Sequence, residues 1–498
     1  MTQVVQVPTS LHLTIPRMSK LLLLSALVLS AASARAEIDR TKKPEPAPAP
    51  AAAFPDYAQR TLRNGLKVFV IEDDRKPTVV FRLLIKSGSA FDGEKTGLAS
   101  FVATLLNRGT ATRDAAAFAK QTDFIGMKLE ALASDDAIAV SGGGLTKYTT
   151  EIIELFTDAV LNPSFAAEQF AKEQKRALSQ LAAERAEPDA LATKLSGKVV
   201  FGPHPYGAYR TPETVQSIGR DDLVAFHKSH FLPNNATLAI VGDVKADAII
   251  AQVEKAFAEW SRGELPPLEL QQIPKLDGVT VHLVDRPGSV QSNVVLCQPG
   301  PPRNDPNMPE LNVLNAALGG GFSGRLFQNL REKHGYTYGA YSAFSLQKRG
   351  GSFQASAETR NEVTARAVQE IFTELRRMRD EPMPEDELEL QRQYNVGNYL
   401  LSLENAARTA QRVQDIDLYG LAPDFYKTYA VRMAAVTPGK IQDLANKHLD
   451  LNDTAIVVVG EAKEVRPELE KIGKVFLYDT DLKPVATAAL PDQEKPRK

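Results

Sequence analysis

Two stretches of this chain repeat one another at a constant offset, and that repeat limits what the chain can fold into. Residues 218–230 (IGRDDLVAFHKSH) run into FLPNNATLAIVGDV, and residues 438–448 (PGKIQDLANKH) run into LDLNDTAIVVVGEA. His230 and His448, Asn234 and Asn452, and Gly242 and Gly460 therefore all stand 218 residues apart. Each copy reads as a helix, a turn and a buried strand rich in β-branched and apolar residues. A second echo lies upstream, where Asn64-Gly-Leu-Lys-Val-Phe-Val-Ile parallels Asp277-Gly-Val-Thr-Val-His-Leu-Val. The repeat predicts two homologous domains, 57–262 and 275–480, joined by a hinge linker over 263–274 (GELPPLELQQIP). Both mix hairpin-like strands with long helices, for example over 163–186, which points to an α+β fold rather than a doubly wound parallel sheet.

The totals agree with two packed units. A chain of 498 residues exceeds a single ordinary core. With 59 Lys and Arg against 61 Asp and Glu, the net charge of -2 lacks the electrostatic footprint of a nucleic-acid binder. Cys297 is the only cysteine, so neither an intrachain disulfide nor a Cys-rich metal site can form.

The N-terminus reads as an export signal. Arg17 and Lys20 precede the apolar run 21–29, and Ala34-Arg35-Ala36 is an A-x-A site that predicts cleavage before Glu37. That run is far shorter than the ~20 residues of a spanning helix, so no stable membrane insertion is expected. Residues 1–36 hold three basic residues and no acidic ones, which leaves the mature chain at a net charge of -5 and predicts a periplasmic protein. The Pro/Ala-rich stretch within 37–56 reads as an extended tether, and 481–498 as a tail.

The most informative stretch is residues 318–338, LGGGFSGRLFQNLREKHGYTY. It reads as a helix, a Gly-rich turn, a second helix stopped by Gly335 and a strand starting near Tyr336. No Gly-Lys-Ser/Thr follows the glycines, which excludes a phosphate loop. Taken alone, Arg331 is a solvated helix residue and Tyr338 a half-buried strand residue. His227 and His230 are the only close histidine pair, with no third ligand at a fixed spacing, and His230 matches His448, which favours a structural role. Cys297 sits in an apolar strand as an inert thiol, and His334 caps a helix end.

GGGFSGRLFQNLREKHGYTYGAYS resembles the C-terminal-half signature of the pitrilysin/insulinase-type metallopeptidases, peptidase family M16, which includes mitochondrial processing peptidase. GPHPYG (202–207), HFLPNNATLAIVGD (230–243) and the duplication extend the likeness over most of 57–480. The resemblance implies two clamshell-forming domains around a chamber for unfolded peptides. It implies an R-x6-Y pair, here Arg331 and Tyr338, that stabilises the tetrahedral intermediate of peptide hydrolysis. Gly319, Gly320 and Gly321 then either touch the peptide or simply bend the chain between two helices.

Active members carry His-x-x-Glu-His on a helix and a further Glu ligand on a later one. The matching positions here are Ser100, Ala103, Thr104 and Gln180, so all three zinc ligands and the general base are missing. The resemblance therefore implies a non-catalytic subunit that binds no metal. Its partner is a catalytic zinc peptidase carrying the His-x-x-Glu-His site, and Arg331 and Tyr338 act in trans. The residues leave a second reading open, a structural or peptide-binding scaffold with no part in hydrolysis. An autonomous metallopeptidase conflicts with the four substituted positions.

Overall fold

The computed structural model describes residues 54–485. The stretch read as a signal peptide, most of that read as a tether and the end of the tail lie outside the described residues. Two six-stranded mixed sheets form the frame. The first holds β1 (Ala58–Thr61), β2 (Lys67–Glu72), β3 (Thr78–Ile85), β4 (Lys128–Ala133), β5 (Ile138–Leu145) and β6 (Ala236–Gly242), in the order β1-β2-β6-β3-β5-β4. The second holds β7 (Thr280–Asp285), β8 (Gln291–Gly300), β9 (Thr337–Gln347), β10 (Gly350–Arg360), β11 (Ala455–Gly460) and β12 (Lys474–Tyr478), in the order β12-β7-β11-β8-β10-β9.

Five strands correspond one to one, which is the predicted duplication in three dimensions. The repeated segments form the helices Arg220–His230 and Pro438–His448, each leading into a fully buried central strand, β6 or β11. The sixth strand occupies the same edge in both sheets but comes from opposite ends of the repeat. β1 precedes β2 and runs antiparallel to it, whereas β12 follows β11 and runs parallel to β7.

The two halves are tied by exchanged helices, again 218 residues apart. The helix Pro188–Phe201 opens with proline at its first turn and ends at Gly202, whose φ of +55° suits glycine. Its Leu191, Leu195, Val200 and Phe201 pack with Val295, Cys297, Val457 and Val459 of the second sheet. In return, the helix Ala406–Tyr419, capped by Asn405 and stopped by Gly420 at φ +66°, reaches the first sheet. There Gln414 donates to the carbonyls of Arg82 and Thr237 at 2.8 Å each. Asp417 of the same helix pairs with Lys67 and Lys86.

Three details differ from the sequence reading. Phe54, placed in the tether, is buried and stacks on Tyr426 with centroids 5.5 Å apart, because an aromatic ring next to an apolar core gains more from burial than from solvation. The linker over 263–274 has neither helix nor strand, as expected of a connection, but its Leu268 and Ile273 pack against the cluster of the exchanged helix. The segment after the Gly-rich turn is a three-residue α-turn, Arg325–Phe327, running into a π-helix, Gln328–Lys333, and the strand begins at Thr337.

Beneath the first sheet, Phe81 and Phe156 are almost wholly buried with centroids 6.0 Å apart. Gly142 faces them, and a Cβ there would come within 2.9 Å of both Met127 Cε and Phe156 Cδ2. Gly142→Ala is expected to destabilise the fold by about 1–3 kcal/mol, because the buried ring cannot yield as the methionine can. A urea midpoint equal to that of the parent chain would contradict this.

Candidate functional site

Arg331 and Tyr338 sit on two consecutive backbone irregularities. In the π-helix, the His334 N–H donates to the Asn329 carbonyl at 3.1 Å, one residue further back than an α-helix allows. Gly335 at φ +62° then reverses the chain, and the Tyr336 N–H closes onto the Leu330 carbonyl at 2.9 Å. Below the turn, buried Asn329 donates to Glu370 Oε2 at 2.9 Å and Glu374 Oε1 at 2.6 Å, anchoring the π-helix to the helix Thr364–Asp380. The Arg331 guanidinium lies over the Phe327 ring, 4.8 Å from its centroid, and 3.6 Å from the Glu332 carboxylate.

Tyr338 is the second residue of β9, the free edge strand of the second sheet. Alternation would set it on the same face as Ala340 and Ser342, which are buried. The register instead shifts here: Ala340 pairs with Ala357 and Thr337 with Thr359, so Tyr338 and Gly339 together oppose Glu358 alone. This β-bulge turns the phenol outward, and Tyr338 is 86 % exposed. A strand residue of aromatic type is thus held away from the core by a local rearrangement of its own backbone.

The π-helix packs beside β9. Under the Arg331 guanidinium runs an aromatic ledge that the sequence reading missed: Phe322, Phe327 and Tyr341, with Phe322 and Phe327 at 5.0 Å and Phe327 and Tyr341 at 6.3 Å. The alternation of β9 was the available signal for Tyr341. Of the glycines, Gly319 is fixed by packing. Its carbonyl accepts from the Ser342 N–H at 2.9 Å, and a Cβ would lie 2.6 Å from that nitrogen. Gly320 is exposed and close to Ala316, and Gly321 has only the Tyr394 hydroxyl at 4.0 Å.

The four positions that the resemblance matches to zinc ligands and general base lie in the first half. Ser100, Ala103 and Thr104 fall on the helix Leu98–Leu105, whose N-terminus is capped by Asp92 accepting from the Gly97 and Ala99 N–H groups at 2.7 and 2.8 Å. Burial pushes the Asp92 carboxyl up to about 6. Ala103 is buried, and the Thr104 hydroxyl is spent on the Ser100 carbonyl at 2.9 Å. Gln180, on the helix Ala167–Glu184, donates to Glu184 at 2.9 Å, and Glu184 pairs with Lys194 at 2.7 Å. Ser100, Glu184, Lys194, Asp189 and Arg210 line one open pocket of about 630 Å³. A methyl group, two hydroxyls and an amide do not fit a zinc ion, and the nearest cation to Glu184 is the Lys194 ammonium. Among the described residues, no group of three or more His, Cys, Asp or Glu is arranged to hold a metal.

The histidine pair is built into the core. His227 Nε2 bonds the Val160 carbonyl at 2.8 Å, and His230 Nδ1 bonds Ser87 Oγ at 3.1 Å. Burial pulls His230 down to about 4, so its ring is neutral in the fold. Unfolded, it takes up a proton below about 6.5, so the stability it contributes is complete above that pH and is lost as pH falls from 6.5 toward 4. His230→Gln is accordingly expected to shrink the difference in unfolding free energy between pH 7 and pH 5, by roughly 1–3 kcal/mol. An unchanged difference would contradict a neutral buried ring. Cys297 is fully buried, and its thiol, pushed up to about 12, stays protonated.

Comparison with known proteins follows this geometry. Residues 67–207 match the family model described as Insulinase (Peptidase family M16), and residues 217–395 the one described as Peptidase M16 inactive domain. A relative from Rickettsia bellii, called an uncharacterized zinc protease, is 26 % identical over 388 residues, covering 77 % of this chain and 90 % of its own length. One from Bacillus subtilis, the uncharacterized zinc protease YmxG, is 25 % identical over 352 residues, 69 % of this chain and 84 % of its own. The crystal structure of a peptidase M16 inactive domain from Pseudomonas fluorescens superposes with a TM-score of 0.76 at 25 % identity, over 81 % of this chain and 98 % of that one. A protease from Helicobacter pylori gives 0.77 at 20 % identity, over 81 % and 99 %.

Proposed function

The chain belongs to peptidase family M16, and from that premise we propose that it is the non-catalytic subunit of an exported two-subunit zinc peptidase. The observation that carries the proposal is Tyr338: a bulge holds its phenol in solvent on the strand that packs against the π-helix of Arg331, while the positions matched to the metal site hold groups that do not suit zinc. A family member carrying His-x-x-Glu-His supplies the metal and the general base. This chain supplies two donors, a guanidinium and a phenolic O–H, to the oxygen that gains negative charge when the peptide carbonyl is attacked.

The edge of β9 suits the substrate class. Among the described residues β10 is its only partner strand, and although the Ser342 N–H is spent on the Gly319 carbonyl and the Gln347 carbonyl on Arg303, the other outward backbone groups offer an extended, unfolded peptide places to align. The exposed rings of Phe322 and Tyr341 offer such a peptide apolar contact, and Gly321, with open space where a side chain would be, lets its backbone approach closely, whereas Gly320 is kept small by the Ala316 backbone. Among the described residues, no helix is long and apolar enough to cross a membrane. Export to the periplasm rests on residues 1–36 alone.

Reconstitution tests the assignment. The chain from Glu37 onward, co-expressed with a family member that carries His-x-x-Glu-His, is expected to co-elute with it in gel filtration and to protect the backbone amides of 331–341 from hydrogen exchange when an unfolded peptide is added. A complex that forms and binds peptide with no protection of that segment would move the role from catalysis to scaffolding.

A further inference from the structure

Away from the Arg331 surface, a cavity of about 330 Å³ opens between the helices Ala406–Tyr419 and Phe425–Ala434 and the segment that follows β8. Its charged lining is Arg303, Arg408, Arg412 and Asp415, with the tyrosines Tyr426 and Tyr429. On the first helix, positions 408, 412 and 415 follow one another at helical spacing, so a single face presents two guanidinium groups and a carboxylate. Arg303 brings a third guanidinium from the opposite wall.

The one carboxylate is already committed. Asp415 accepts from the Tyr426 hydroxyl at 3.2 Å and lies 3.5 Å from Arg303 Nη2, and the buried Arg82 guanidinium acts on it as well. The arginines, by contrast, have donors left over. Arg303 spends Nη2 on the Tyr426 hydroxyl at 3.0 Å, and Arg412 spends Nη2 on Ser402 Oγ at 2.5 Å. Among the described residues, the Nη1 atoms of both are buried with no acceptor, and no acceptor or ion pair engages the Arg408 side chain. Stacking holds the two buried planes in place, Arg412 over Tyr399 at 4.8 Å and Arg303 over Tyr419 at 5.7 Å. Two like charges one helical turn apart repel, and buried N–H groups without acceptors are costly, so the three guanidinium groups are in excess of the one carboxylate that faces them.

We propose that this cavity binds a small oxyanion, of phosphate or carboxylate chemistry, through Arg303, Arg408 and Arg412. Guanidinium groups suit both, because their forked donors match two oxygens at once. The volume lies at the small end of ligand pockets and admits one anionic group rather than an extended chain. The proposal is independent of the role given to Arg331 and Tyr338.

The test is calorimetric titration of the chain from Glu37 onward with inorganic phosphate and, separately, with a short peptide bearing a free C-terminal carboxylate and with its amide. Saturable binding is expected for phosphate, for the free-acid peptide or for both, with no binding of the amide. The first result alone marks a free inorganic anion as the ligand, and the second a chain terminus. Arg408→Gln, at an exposed side chain that is not needed for folding, and Arg412→Gln are each expected to weaken binding about tenfold or more. No saturable heat for either probe up to about 10 mM, or equal affinity in both variants with their circular dichroism unchanged, would overturn the proposal.

Discussion

Arg331→Ala is expected to lower peptide cleavage by the proposed two-subunit enzyme about 100- to 1000-fold in kcat, with KM nearly unchanged. The guanidinium lies half exposed over Phe327 beside Glu332, on a π-helix anchored independently through Asn329. Its removal takes away a donor that acts on developing charge and leaves the frame intact, so chain stability should stay within about 0.5 kcal/mol. Tyr338→Phe removes only the hydroxyl from an exposed ring and should act in the same direction by a smaller factor. Steady-state kinetics of the variants with one partner decide the matter. A loss confined to KM would assign Arg331 to binding, and a loss of assembly would assign it to the interface.

Asp415→Asn is expected to destabilise the chain by about 3–5 kcal/mol. The carboxylate stands between Arg303 and the buried Arg82 on the helix that reaches across to the first sheet, and Tyr426 donates to it. Burial holds this carboxyl above the usual carboxylate range, and the two guanidinium groups only partly counter it by favouring the charged form. Neutralising it leaves two cations buried without a counter-charge where the halves meet, next to Gln414, which joins Arg82 to Thr237. Urea unfolding measures the effect, and a loss below about 1 kcal/mol would show that the two arginines do not depend on Asp415.

Much of the architecture was legible because the repeat carries its own control. His230 and His448 end corresponding helices, and Gly242 and Gly460 end corresponding strands, so one register fixed both halves. The helix exchange was not legible, since nothing within 188–201 or 406–419 names the sheet that each helix covers, which tertiary packing decides. The same holds for Phe54, whose Pro/Ala-rich flank speaks for a tether while its ring finds Tyr426. At the site, the spacing of Arg331 and Tyr338 could be read, but their presentation could not. Period-two alternation places Tyr338 with Ala340 and Ser342, and only the bulge at Gly339 reverses it. The π-helix depends on Asn329 meeting Glu370 and Glu374, some forty residues away, and has no local signature. The family resemblance is what singles out Ser100, Ala103, Thr104 and Gln180, since a methyl group, two hydroxyls and an amide stand where it implies zinc ligands and a base.

The central claim is that this chain completes another subunit's active site. Cleavage of a quenched, unfolded peptide should be measured with the purified chain alone, with a His-x-x-Glu-His family member alone, and with the two together, each with and without a zinc chelator. Cleavage that needs both chains and is abolished by the chelator is the predicted result. Full activity of the partner without this chain, or chelator-sensitive cleavage by this chain alone, would contradict it.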